Sequence, residues 1–137
     1  MRFLLGIAGA LALLGPVAAQ QQIQEIRFDH GASNGAVQGS VVRGERALYS
    51  LSARAGQTLT AHITAVEANA VFQLYPPGAR PVQRDGMLEV DGSALPGAAD
   101  GEDARSWQGQ LPASGTYLFV VGGTRGNASY RLSVTVR

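Results

Sequence analysis

After Gln22 the apolar positions of this chain recur at every second residue almost throughout, and turn residues interrupt them every eight to fifteen positions. Ile26 and Phe28 alternate with Glu25 and Arg27. Tyr49, Leu51 and Ala53 alternate with Ser50, Ser52 and Arg54 before Ala55-Gly56-Gln57 turns the chain. Leu59, Ala61 and Ile63 alternate with Thr58, Thr60, His62 and Thr64, and Phe72 and Leu74 form a short run that Pro76-Pro77-Gly78 ends. The last two runs are the clearest: Tyr117, Phe119 and Val121 share one face, and Tyr130, Leu132, Val134 and Val136 alternate with Arg131, Ser133, Thr135 and Arg137. A period of two with Gly-rich turns and no helical spacing predicts half-buried strands. The expected fold is all-β, a single antiparallel β-sandwich or flattened barrel.

Two stretches depart from that period. At the N-terminus, Met1-Arg2 precedes an apolar run from Phe3 to Leu14, then Gly15-Pro16 and the small residues Val17-Ala18-Ala19. This is the layout of a signal peptide cleaved after Ala19. The run is too short to cross a hydrocarbon core, which takes roughly 20 helical residues. No Cys at the cleavage point invites a lipid anchor, and no later segment is apolar enough to span. The expected organisation is a signal peptide at 1–19 and one β-sandwich binding domain at 20–137, periplasmic or secreted. The second departure runs from Arg84 to Arg105, poor in apolar residues and holding six of the ten acids. It reads as a long acidic excursion with a short hairpin around Met87 to Val90, and loops of this length are usually functional or disordered.

Composition narrows the function. The absence of Cys removes thiol catalysis, sulfur-ligated metals and disulfide staples, and a domain of this size has core enough without them. All eleven basic residues are Arg, and losing Arg2 leaves ten against ten acids. A neutral chain with no basic stripe is not a nucleic-acid binder. Gly31-Ala32-Ser33-Asn34-Gly35 matches the G-x-S-x-G of a nucleophile elbow beside His30, but that elbow needs a strand before it, a helix after it and a larger α/β sheet. A surface loop is the plainer reading. His62 lies among outward-facing Thr as a solvated strand residue. The clustered acids could wrap calcium, yet their spacing fits no EF-hand, and a solvated loop is expected instead. No cofactor, no metal and no catalytic residue are expected; the chain reads as a binder and not an enzyme.

The stretch Trp107-Gln108-Gly109-Gln110-Leu111-Pro112-Ala113-Ser114-Gly115-Thr116-Tyr117 is the most informative. Trp107 and Leu111 read as core, and Pro112 to Gly115 as a tight turn feeding the next strand. Tyr117 is on this reading a core aromatic or a tyrosine corner. Here the chain resembles the bacterial periplasmic inhibitors of goose-type and invertebrate-type lysozymes. The likeness runs from Phe28-Asp29-His30-Gly31-Ala32-Ser33 through Gly39-Ser40-Val41, Ala53-Arg54-Ala55-Gly56-Gln57-Thr58-Leu59 and Pro77-Gly78. It continues in the Trp107–Tyr117 stretch and ends with Thr124-Arg125 and Ala128-Ser129-Tyr130-Arg131-Leu132-Ser133-Val134. The resemblance implies a proteinaceous inhibitor that occludes the lysozyme cleft with an exposed turn. In the invertebrate-type inhibitors a Ser-Gly-x-Tyr motif enters that cleft, which implies Ser114, Gly115, Thr116 and Tyr117 as partner-binding residues, with Arg125 beside them. Asp100, Glu102 and Asp103 would steer a basic lysozyme electrostatically. The alternative from the same residues is a non-inhibitory module of the pre-peptidase C-terminal type, which also carries Leu-Pro-x-x-Gly-x-Tyr, binding envelope polysaccharide or another exported protein. The oligomeric state stays open, a homodimer included.

Overall fold

The computed structural model describes residues 22–137, so the expected signal peptide lies outside the described residues. These form ten strands and no helix: β1 (Ile23–Glu25), β2 (Asn34–Val41), β3 (Arg46–Ala53), β4 (Thr58–Ala65), β5 (Ala70–Tyr75), β6 (Arg80–Arg84), β7 (Met87–Asp91), β8 (Ser106–Gln110), β9 (Gly115–Gly123) and β10 (Ala128–Val136). Two four-stranded sheets, ordered β1-β3-β9-β5 and β2-β10-β4-β8, face each other, and β6-β7 is a separate hairpin. Among the described residues no helix is long and apolar enough to cross a membrane. The sandwich expectation holds, while the flattened barrel is corrected: neither sheet closes on itself. One pair is parallel, β1 on β3. The chain leaves the first sheet after β1, crosses to form β2 in the second, and returns to β3, the kind of crossover parallel pairing needs.

The alternating runs deliver the core. Tyr117, Phe119 and Val121 of β9 are fully buried together with Leu59, Leu74 and Leu132, and Val134 and Leu51 are nearly so. Phe72 meets Phe119 edge to face, with ring centroids 5.5 Å apart. On β10 the opposite face carries exposed Arg131 and half-buried Ser133 and Thr135. β2 is a strand the alternation missed, because its inward positions include Gly35 and Gly39 in place of large apolar residues. Those glycines make room for rings. A Cβ on Gly35 would sit 2.8 Å from the Phe28 ring, and one on Gly39 would sit 2.6 Å from Tyr130 Oη and 2.9 Å from Tyr49 Oη. The two phenols share a buried hydrogen bond of 2.6 Å. Burial first, then that bond and the charge of Tyr49, pushes the Tyr130 hydroxyl well above the usual tyrosine range.

β9 is covered on both sides. Its alternate residues Leu118 and Val120 are also buried, in a second cluster with Leu48 and Tyr75, and Leu88, Val90, Ala79 and Ala94 pack over them. The β6-β7 hairpin is therefore a third layer. The acidic excursion is ordered beyond that hairpin as well, with Leu95, Ala98 and Ala104 buried in the main core. Its backbone seals the flank of β5: Phe72 N–H donates to Ala104 O at 2.9 Å, Leu74 N–H to Ala98 O at 3.0 Å, and Leu95 N–H to Leu74 O at 2.8 Å. Glu102 Oε1 accepts from the backbone N–H groups of Gly97 and Ala99 and closes the loop on itself. Arg84 pairs with Glu89 and Asp91 across the hairpin.

Candidate functional site

One end of the sandwich gathers the loops after β1, β3, β5 and β8. There the turn leading into β9 is bound to the turn after β3. Leu111 N–H donates to Gln57 O at 2.8 Å, and Gly56 N–H to Leu111 O at 2.9 Å. Ala55 N–H donates to Ser114 Oγ at 2.9 Å, and Gln57 Oε1 accepts from Arg54 N–H at 2.7 Å. Gly115 has φ +145°, and a Cβ there would lie 3.0 Å from the Pro77 ring, so the turn after β5 abuts it and glycine is required. Pro112, Ser114, Gly115 and Thr116 are exposed. The result is a braced, exposed turn on which the Ser114 hydroxyl accepts from inside and keeps its proton to donate outward.

Of the four motif residues, Tyr117 is the one whose side chain turns into the core. Its side chain is fully buried, and its hydroxyl donates to Ala113 O at 2.6 Å and accepts from Ala113 N–H at 3.2 Å. The ring packs with Phe119 on the core face, as strand alternation requires, and the hydroxyl props the turn from below in the manner of a tyrosine corner. It braces the turn that carries Ser114 through both backbone groups of Ala113. Arg125 is not brought to this site. β9 separates the two, and its eight residue steps span about 26 Å. At the far end Arg125 Nη2 donates to Glu67 O at 2.9 Å. Buried Asn69 shapes that turn through bonds to Arg125 O and Asn127 O.

Asp100, Glu102 and Asp103 lie exposed beside β5, away from the Ser114 turn. Glu102 is occupied in closing its loop, and Asp100 Oδ1 accepts from Gln73 Nε2 at 3.1 Å. Among the described residues no three acids or imidazoles gather at metal-binding distance. Ser33 leads straight into β2 with no helix after it, so the elbow chemistry lacks its frame. His62 Nδ1 meets Ser106 Oγ at 2.7 Å on the outer face of the second sheet.

No protein-family model and no curated protein sequence matches the chain. Solved structures do. PliG of Aeromonas hydrophila, a periplasmic lysozyme inhibitor of g-type lysozyme, is 32% identical with a TM-score of 0.61, over 86% of this chain and 100% of that one. The chain belongs to the PliG family. Salmonella Typhimurium PliG, also a periplasmic inhibitor of g-type lysozyme, covers the same shares at 23% identity and a TM-score of 0.60, which shows the common fold. These PliG proteins are periplasmic, and they are inhibitors, not enzymes. The pre-peptidase C-terminal domain of Bacillus anthracis collagenase shares the fold at 12% identity and a TM-score of 0.52, over 85% of this chain and 97% of that one. The PliG relationship is carried by sequence as well as by fold, whereas the collagenase likeness is one of fold alone.

Proposed function

We propose that this chain, exported and freed of residues 1–19, inhibits a goose-type lysozyme by seating its Ala113–Thr116 turn in the enzyme's substrate cleft. The observation that carries this reading is the Ser114 hydroxyl, held on an exposed turn by Ala55 N–H at 2.9 Å with its proton free to donate. The identity to Aeromonas PliG supports lysozyme as the partner. Glycoside-cleaving clefts hold two carboxylates, so a hydroxyl donor carried on a rigid turn suits them and excludes water and substrate. Inhibition of this kind needs occlusion only, with no turnover. Asp100 and Asp103, exposed on the flank, add long-range attraction to a basic enzyme.

The test is a lysis assay of purified mature protein against goose-type, invertebrate-type and chicken-type lysozymes. Stoichiometric inhibition of the goose-type enzyme is expected. No effect on any of the three, together with binding to envelope polysaccharide, would overturn the reading in favour of a non-inhibitory module.

A further inference from the structure

We propose that Arg54 is the cation with which this chain grips a carboxylate of the lysozyme cleft; the proposal rests on the inhibitory reading of the Ser114 turn. Ala55 N–H is the group that bonds Ser114 Oγ at 2.9 Å. Arg54 is the residue before it, so adding the Cα–C and C–N bonds brings the Arg54 Cα within about 6 Å of Ser114 Oγ. Its backbone is held on both sides: its N–H donates to Gln57 Oε1 at 2.7 Å, and its carbonyl accepts from Gln57 N–H at 3.2 Å. Gly56, at φ +87°, completes that turn.

The side chain, in contrast, is uncommitted. Arg54 is exposed, and among the described residues it forms no salt bridge; the pairs there are Arg27 with Glu25, and Arg84 with Glu89 and Asp91. The turns at 54–57, 76–79 and 111–116 contain no acid, and Asp29, in the loop after β1 at the same end, forms no salt bridge with it. Arg54 borders an open hollow with Phe28, Ser33, Gln57 and Val136, so a seated partner would strip water from one side of the guanidinium. A planar guanidinium donates two parallel bonds to a carboxylate, and that pairing strengthens as water is excluded. A cleft built around two carboxylates therefore meets a hydroxyl donor on one turn and, on the turn hydrogen-bonded to it, an exposed arginine. Arg125, the cation the sequence pointed to, is the length of β9 away.

The experiment measures affinity and dissociation rate on a goose-type lysozyme for the wild-type mature protein and for Arg54→Ala, Arg54→Lys, Arg125→Ala and Arg137→Ala. Arg54→Ala should weaken binding roughly 30-fold or more, mainly through faster dissociation. Arg54→Lys should fall between, Arg125→Ala and Arg137→Ala should stay within about twofold, and the melting temperature of Arg54→Ala should not move. Against lysozyme variants with the cleft carboxylates changed one at a time to amides, the Arg54→Ala penalty should vanish for one of them. If the wild type inhibits and Arg54→Ala binds within twofold of it, or its penalty persists on every amide variant, this inference fails while the inhibitory reading stands. If the wild type does not inhibit at all, that reading falls and takes this one with it.

Discussion

Replacing Ser114 by Ala removes the acceptor of Ala55 N–H, but the site is exposed and water can take the hydroxyl's place. Stability should drop by about 0.5–1.5 kcal/mol at most, while inhibition should weaken far more; urea unfolding and a lysozyme titration on the same variant separate the two. Tyr117→Phe should do the reverse. It strips Ala113 of partners for both its backbone groups in a part-buried setting, so a loss of about 1–3 kcal/mol in urea melts is expected, with inhibition affected only as far as the turn loosens. The motif made Ser114 legible. Tyr117's burial was legible too, since period two sets it beside Phe119. Arg54 was not, because a turn residue followed by Gly56 reads as connection until Ala55 N–H is seen bonded across to Ser114. Tyr130 gives a pH test. Its phenol, like that of Tyr75, is pushed above the ordinary value near 10, for both chiefly by burial. The unfolded phenols ionise first, so their stabilisation is complete below about pH 10 and is lost as pH rises toward the folded values. Denaturant midpoints should fall from about pH 9 to about pH 11, and Tyr130→Phe should flatten that fall.

Strand β9 shows how far alternation carries. Period two places Tyr117, Phe119 and Val121 on one face and by itself does not say what covers Leu118 and Val120. The unbroken run Tyr117-Leu118-Phe119-Val120-Val121 is the mark of a strand buried on both faces, and the β6-β7 hairpin is the cover. Leu118→Ala should therefore destabilise by about 2–5 kcal/mol, comparable with Leu132→Ala in the main core, measured by urea unfolding. The hairpin itself was visible around Met87 to Val90. What lay hidden was the order of residues 92–105, since few apolar residues anchor them in the main core, Leu95, Ala98 and Ala104, and much of the rest of their hold is hydrogen bonding, including backbone bonds to β5. Composition cannot reveal bonds that any residue makes. β2 escaped for the opposite reason: Gly35 and Gly39 are inward positions by register, filled by the rings of Phe28, Tyr49 and Tyr130. Gly39→Ala should accordingly unseat the tyrosine pair and cost about 1–3 kcal/mol.

Across the whole molecule, β9 sets two ends apart, each organised by its own hydrogen bonds, with the acids on the flank between. Neutralising Asp100 and Asp103 should slow association with a basic lysozyme at low salt and leave dissociation unchanged, an effect that fades as the screening length shrinks from about 10 Å at 0.1 M to about 3 Å at 1 M; stopped-flow or surface binding at two salt concentrations reads it. The sandwich and the Ser114 turn could be argued from the chain alone, whereas the distance between Ser114 and Arg125 could not, because strand length turns neighbours in a motif list into opposite poles. The sealed flank of β5 also bears on how the protein behaves in concentrated solution. An open row of backbone N–H and C=O groups is a template on which a second copy can lay its own strand. With Ala98 and Ala104 already occupying that row, two molecules meeting on this side find nothing to zip together. A proteolytic nick between Gly101 and Glu102 would reopen it, and light scattering should then report fibre-like growth from a protein that had stayed monodisperse.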